Sequence, residues 1–206
     1  MQKKRNFTKI LTLFVIFDFL LFTGLDFFTQ QSSMISYLRF LAVAACFLIG
    51  VSRRRGAFLA LGLAFTVVAD FCLLIADIRL AGVAIFCAVH VLYIFRSARP
   101  PVLAIALILT SAALAFGISK TGIDDVLSQV SLFYAVLFVF DIACAVLVPR
   151  GDSRINKAFL VSGLILFALC DVNVLLYYLR LEGFYETAIK LVWIFYLPSQ
   201  LFIAYS

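Results

Sequence analysis

The sequence is poor in charged residues and almost lacks histidine. Asp, Glu, Lys and Arg make up 14% of its 206 residues, and the chain contains one histidine. Ordinary soluble domains have about a quarter charged residues, so this composition excludes a soluble domain. A single histidine also excludes zinc sites built on three histidines, or on two histidines and a carboxylate. The sequence has no Walker A, Gly-x-Gly-x-x-Gly or Gly-x-Ser-x-Gly motif, which excludes the chemistry that depends on them.

Apolar residues dominate what is present. They make up 65% of the chain, and the mean hydropathy is +1.13. A membrane-spanning helix needs about 20 residues, so the chain holds at most about eight spans with short loops. We therefore predict an all-α, polytopic integral membrane protein, a bundle of eight transmembrane helices that forms a single transmembrane domain over residues 1–206.

Charges, glycines and prolines divide the apolar sequence into eight segments. The clearest breaks are at Arg53 to Gly56, at Pro100-Pro101, at residues 120–125 and at residues 150–154. The predicted helices lie near residues 8–28, 34–51, 57–77, 80–97, 101–118, 126–148, 157–179 and 186–205.

The positive charges are distributed as expected for a membrane protein. The net charge is +6, but the basic residues are scattered in short loops, so we expect no nucleic-acid partner. If the N-terminus is cytoplasmic, all but five of the 17 basic residues lie on the cytoplasmic side. The remaining five are Arg39, Arg79, Lys120, Arg180 and Lys190. This bias predicts that both termini are cytoplasmic.

A weak repeat relates the third and seventh predicted spans. Asp70 and Asp171 are each followed, nine positions later, by an arginine that begins the pattern Arg-Leu-x-Gly. Both spans run in the same direction in this topology, so the pattern is consistent with a parallel repeat of four plus four helices. The alternative is chance similarity between two apolar segments.

Four aspartates lie at membrane depth, where an ionisable side chain costs at least about 2.5–3.5 kcal/mol. They are Asp18, Asp70, Asp141 and Asp171. The arginine spacing places Asp70 and Asp171 about 13 Å below the outer boundary. We predict that these two line a polar cavity, where one could act as acid and the other as base. For Asp18 and Asp141, a structural role or a protonated carboxyl bonded to a backbone carbonyl is a sufficient explanation.

Other polar residues accompany the aspartates. His90 lies on the returning fourth span at a depth at which it could face Asp70, and Tyr93 shares its helix face. On the last span, Tyr196 and Gln200 are one turn apart. These residues are candidates for positioning substrate or water. For the tyrosines and the glutamine taken singly, hydrogen bonds that hold helices together are the alternative.

Several of these residues fall within a pattern that is characteristic of one family. The segment 82–93 carries Gly-x-x-x-Phe-x-x-x-His-x-x-Tyr, and it resembles the signature of the YhhN-type lysoplasmalogenase family. Residues 66–74 resemble the family's Gly-Asp-x-x-Leu segment. Residues 162–171 and 196–201 are similar to its Gly-Ala-x-x-Phe-x-x-Ser-Asp and Tyr-x-x-x-Gln-x-Leu segments. The sequence departs from the pattern at Ala69, Cys170 and Phe40, and by the additional polar residues Asp141 and Asn173.

The resemblance implies hydrolysis of the vinyl-ether bond of a lysoplasmalogen to a fatty aldehyde and a glycerophospho head group. Protonation of the vinyl carbon and addition of water need an acid and a base, which suits Asp70 and Asp171. This chemistry requires neither metal nor cofactor, and the expected partners are a lysophospholipid or lysoplasmalogen and membrane lipid. The alternative is a small transporter or lipid-binding protein that kept the fold and the buried aspartates without hydrolysis.

Two arginines are candidates for holding the lipid phosphate. Arg79 and Arg180 end the two aspartate helices on the non-cytoplasmic side, from which the aspartates are closer. Their guanidinium groups could offer paired donors to phosphate oxygens. The alternative is that both side chains extend to ordinary lipid head groups.

Overall fold

A computed structural model describes residues 2–28, 33–98, 100–147, 154–180 and 184–206 of the chain. Within these ranges the chain is helical and contains no strand. Eight helices are long and apolar enough to cross a membrane, which confirms the predicted all-α, eight-span class. They are α1 (Gln2–Phe28), α2 (Ser33–Arg53), α3 (Ala57–Asp70, extended by a π-helical segment Phe71–Ile75), α4 (Arg79–Ser97), α5 (Pro101–Ser119), α6 (Val126–Leu147), α7 (Arg154–Tyr178) and α8 (Tyr185–Tyr205).

The helix ends follow local backbone chemistry. Gly56 precedes α3 with a φ of +118°, a conformation that glycine adopts at little cost. Pro101 occupies the first turn of α5, where its missing N–H leaves no hydrogen bond unmade. Helix α1 begins at Gln2, six residues before its predicted start. The prediction followed the apolar run, whereas the helix also includes the polar residues before it.

Some sequence features lie outside the described residues. They include Arg99 and Arg150 of the charge distribution, most of the predicted break at 150–154, and Leu181 to Gly183 of the repeat pattern.

The outer surfaces of two helices are strongly apolar. Seven large apolar side chains on α1 and α5 are between 64% and 70% exposed. They are Ile10, Leu13, Phe17, Leu20, Val102, Leu109 and Phe116. Contact of such side chains with water is unfavourable, and lipid tails would cover them. Eight apolar helices with such surfaces are typical of a multi-pass membrane protein.

The chain divides into two compact units of four helices each. One consists of Met1–Arg54 and Arg154–Ser206 and contains α1, α2, α7 and α8. The other is Arg55–Ser153 and contains α3 to α6. We call them the terminal unit and the central unit. They do not coincide with the two sequence halves of the proposed repeat, and the single domain over residues 1–206 stays a prediction.

In the central unit, α4 packs against α3 and α6, and α5 packs against α6. The contact between α3 and α4 is close at Gly62, where an added Cβ would lie 2.3 Å from Cε1 of Tyr93. A buried apolar cluster joins α4, the turn after it, α5 and α6. It consists of Cys87, Ile94, Ala98, Ala104, Leu137 and Cys144.

In the terminal unit, α8 packs against α7, α2 and α1. Gly163 allows α7 to approach α8, because an added Cβ would lie 3.0 Å from the carbonyl oxygen of Ser199. The hydroxyls of Thr12 and Tyr205 are 2.7 Å apart and join α1 to α8. Pro198 lies inside α8, where its missing N–H removes the helical hydrogen bond to the carbonyl of Ile194.

Candidate functional site

A fully buried polar contact in the central unit joins α4 to α6. Nδ1 of His90 lies 2.9 Å from Oδ2 of Asp141, and both side chains have no exposed surface. From the sequence, His90 could face Asp70, and Asp141 could line a polar cavity, have a structural role or be a protonated carboxyl bonded to a backbone carbonyl. The structure shows that Asp141 is a direct hydrogen-bond partner of His90, so the histidine belongs to a carboxylate–imidazole pair.

Aromatic side chains surround the His90 ring. Phe138 stacks on it with a centroid distance of 4.3 Å. Tyr134 and Tyr93 approach it edgewise, at 5.2 Å and 6.3 Å. An apolar enclosure of this kind strengthens the hydrogen bond between His90 and Asp141, because little water competes for either group.

The sequence contains a signal for Asp141 that the motif analysis did not use. On α6, Tyr134, Phe138 and Asp141 follow one another at four and three residues, the same spacing as Phe86, His90 and Tyr93 on α4. The structure pairs Phe86 with Tyr134 and His90 with Phe138. The partners in both pairs are separated by the same number of positions, so α4 and α6 run parallel with these faces matched.

Asp70 is the last residue of α3 and is 4% exposed. The π-helical segment begins immediately after it, with hydrogen bonds from the Ala76 N–H to the Phe71 carbonyl (3.0 Å) and from the Ile78 N–H to the Cys72 carbonyl (2.8 Å). Single π-helical turns inside α-helices occur frequently at functional sites. Asp70 is therefore a buried carboxyl at an irregular point of its helix.

Tyr93 is fully buried between α3 and α4. Its ring contacts the backbone at Gly62, where a glycine provides the space. It also approaches the ring of His90, so two of the predicted site residues lie together in the central unit.

Three more of the predicted site residues, Asp171, Tyr196 and Gln200, lie in the terminal unit. Asp171 is half-buried on α7. The Tyr196 ring packs against Phe167 of α7 at 5.3 Å. Gln200 is fully buried, and its amide donates to the Ser199 hydroxyl at 3.4 Å. These contacts place Tyr196 and Gln200 in the interior of this unit.

A buried ion pair in the terminal unit was not predicted. The Arg39 guanidinium on α2 bonds to the Asp26 carboxylate on α1 and lies over the Trp193 ring on α8, 4.7 Å from its centroid. Arg39 is 5% exposed. The sequence placed Arg39 among the five basic residues of the non-cytoplasmic side, but nothing in the spacing indicated that its charge would be buried.

Arg79 is the first residue of α4 and does not end the Asp70 helix, whereas Arg180 follows the end of α7, and both are exposed. The Arg79 Nε is 3.4 Å from the Asp77 carboxylate, and both side chains are more than half exposed. Arg180 follows α7 with a positive φ of 48°. Phosphate binding at these arginines stays a prediction.

Among the residues that the structure describes, no group of three or more His, Cys, Asp or Glu side chains could hold a metal ion.

Comparison with known proteins identifies the family. No curated protein and no solved structure matches this chain. The model of the YhhN family matches residues 8–206, nearly the whole length. The chain therefore belongs to the YhhN family.

Proposed function

We propose that this protein is a membrane-embedded hydrolase that cleaves the vinyl-ether bond of a lysoplasmalogen. The observation that carries the proposal is the buried pair of His90 and Asp141 with Tyr93 beside it, because His90 and Tyr93 are signature residues of the resemblance. Membership of the YhhN family supports the same reaction.

The reaction consumes one water and moves protons in two stages, the addition of water and the breakdown of a hemiacetal. An acid protonates the vinyl carbon that is not bonded to oxygen, which creates an oxocarbenium ion. Water adds to the carbon bonded to oxygen and gives up a proton to a base. The hydroxyl of the resulting hemiacetal then loses its proton to form the aldehyde carbonyl, the carbon–oxygen bond to the head group breaks, and the glycerol oxygen takes up a proton. An acid and a base held in a dry interior suit these steps.

From the sequence, we assign the acid and base roles to Asp70 and Asp171. Burial of Asp70 at the end of α3 supports its assignment, since water in contact with the acid would compete for its proton. His90, Tyr93, Tyr196 and Gln200 are proposed to position water or substrate. Arg79 and Arg180 are proposed to hold the phosphate. No metal or cofactor enters this proposal.

The proposed substrates are lysoplasmalogens or related lysophospholipids within the membrane. Both termini are proposed to face the cytoplasm, on the basis of the distribution of positive charge.

The test is a direct assay of purified protein in detergent. Aldehyde release from lysoplasmenylethanolamine is the expected result, and Asp70→Asn and Asp171→Asn should each remove most of the rate. Asp18→Asn is a matched control, because Asp18 is also a carboxyl buried in a helix, at 2% exposed, and has no assigned role.

Two results would contradict the proposal. Full activity in the Asp70 or Asp171 variant would exclude that residue as the acid or base. Tight binding of unaltered lysolipid by the wild-type protein, with no aldehyde released, would favour a lipid-binding protein or a small transporter instead.

A further inference from the structure

We propose that Asp141 is a positioning residue for His90. Its carboxylate keeps a proton on Nδ1 of the imidazole and so leaves Nε2 as a hydrogen-bond acceptor. The inference rests on the proposed function for its kinetic consequence, but the state of the His90 ring can be measured without any activity.

An ionised Asp141 would fix which nitrogen of His90 carries the proton. An ionised carboxylate only accepts hydrogen bonds, whereas a neutral imidazole has one donor and one acceptor nitrogen. Oδ2 of Asp141 lies 2.9 Å from Nδ1 of His90. With Asp141 ionised, Nδ1 is therefore the donor, and the acceptor lone pair of the ring lies on Nε2.

The surroundings make this hydrogen bond strong. Both side chains have no exposed surface. Charge-assisted hydrogen bonds are about twice as strong as neutral ones, and a low local dielectric strengthens them further. Loss of the acceptor would leave a buried N–H without its partner, which destabilises the tautomer with the proton on Nδ1.

The aromatic side chains restrict the ring to this orientation. Phe138 stacks on one face of the imidazole with an interplanar angle of 28°. Tyr134 and Tyr93 meet the ring edgewise at 60° and 86°. A rotated ring would lose the Asp141 contact within the same tightly packed space, so packing and hydrogen bonding favour one arrangement together.

The chemical value of this arrangement lies at Nε2. A lone pair there can accept a hydrogen bond from the O–H of a water molecule and direct the water's oxygen toward the carbon that bears positive charge. If the proton moved from Nδ1 to Nε2, the ring would present a donor instead and would orient the water wrongly. Asp141 acts through His90 and contacts neither substrate nor water in this proposal.

The sequence makes the experiment simple, because His90 is the only histidine in the chain. The full-length protein, labelled with ¹⁵N-histidine, purified without a histidine tag and held in detergent at mildly alkaline pH, gives one pair of ring nitrogen signals. A ¹H–¹⁵N correlation spectrum then shows which nitrogen is protonated. For the wild-type protein we expect a proton on Nδ1 and a bare Nε2.

Two variants test the role of Asp141. Asp141→Leu removes the acceptor, so the proton should move to Nε2. Asp141→Asn keeps the size of the side chain and removes its charge, so the Nδ1 proton signal should shift to lower frequency. This variant provides the test if Asp141→Leu does not fold. Asp18→Asn, the matched control in the terminal unit, should leave the ring signals unchanged.

The expected kinetic result is a fall in kcat of at least about tenfold in Asp141→Asn with little change in KM, because the oriented water matters only in the reaction step. A wild-type ring with a bare Nδ1, or with protons on both nitrogens, would overturn the proposal. So would ring signals that are the same in the wild type and in both Asp141 variants. A wild-type protein that releases no aldehyde would refute the proposed reaction, while the spectra would still decide the role of Asp141.

Discussion

The Asp26 carboxylate and the Arg39 guanidinium form an ion pair with an oxygen–nitrogen distance of 2.5 Å. Their side chains are 11% and 6% exposed. Since Asp26 is on α1, Arg39 is on α2 and the guanidinium lies over Trp193 of α8, this contact joins three of the four helices of the terminal unit.

Removal of one member of this pair should destabilise the protein strongly. Arg39→Met leaves the Asp26 carboxylate buried without its partner, which typically costs about 3–5 kcal/mol. The measurement is unfolding in detergent, followed by circular dichroism against temperature and denaturant. The double variant Asp26→Leu with Arg39→Met should recover much of the loss. Additive losses in the double variant would show that the ion pair has no such role.

Substitution of Gly62 should loosen the contact between α3 and α4. The Cβ of Gly62→Ala would lie 2.3 Å from Cε1 of Tyr93, so the ring or the helix must move, at a cost of about 1–3 kcal/mol. Unfolding in detergent checks the stability. Gly117→Ala is the control, because nothing lies within 4 Å of its added Cβ. This variant should be neutral or slightly more stable. Equal stability of both variants would contradict the proposed close contact.

The stability of the first turn of α6 should depend on pH. Hydrogen bonds from the hydroxyl and from the backbone N–H of Ser128 hold the pKa of Asp125 below its ordinary value. Because the pKa is lower in the folded state, the stabilising effect of the carboxylate is present above the ordinary pKa and is lost as the pH falls through the folded value. The measurement is amide hydrogen exchange at Ser128. In acid we expect this amide to exchange faster than the intrinsic pH dependence of exchange explains.

The variant Asp125→Asn distinguishes the effect of the charge from that of the hydrogen bond to Ser128 at the start of α6. Asparagine is also a good N-cap residue but does not titrate, so its Ser128 amide should show no such acid-dependent opening. An identical acid response in both proteins would exclude Asp125 as the titrating group.

Removal of the Arg79 and Arg180 side chains should weaken substrate binding and have much less effect on the rate of the reaction step. Arg79→Ala combined with Arg180→Ala should raise KM for a lysolipid and change kcat much less, because a remote anchor binds ground state and transition state equally. Initial-rate assays with a lysoplasmalogen provide the measurement. Lys120→Ala, another exposed basic residue in a turn, is the matched control. Unchanged KM in the double variant would place the head group elsewhere.

The sequence predicts the helices well because each span is a local property. Transfer of a run of apolar residues from water into the membrane is favourable by itself. Gly56 and Pro101 mark the starts of helices through backbone restrictions that act within a few residues. The π-helical segment after Asp70 was not predicted, since the apolar pattern through residues 71–75 is the same for either helix type.

The contacts between helices were harder to predict. Asp141 lies 51 positions from His90, and hydropathy shows that a carboxyl is buried without showing which side chain it meets. The same limit applies to Asp26 and Arg39, whose pairing depends on how α1 packs against α2. The shapes of the packed helix surfaces decide such contacts, as at Gly62 and Gly163, where the absence of a side chain lets two helices approach closely.

The division into units also has a consequence for biosynthesis. The central unit, Arg55–Ser153, is one continuous stretch, so all four of its helices are synthesised before α7 and α8. The terminal unit takes α1 and α2 from the beginning of the chain and α7 and α8 from its end. During translation, which proceeds at about 5–20 residues per second, the first two helices must remain in the membrane without their partners while the whole central unit is made. Helix α8 is synthesised after the other seven described helices and contacts α1, α2 and α7, so the terminal unit can be completed only after the central unit has been made.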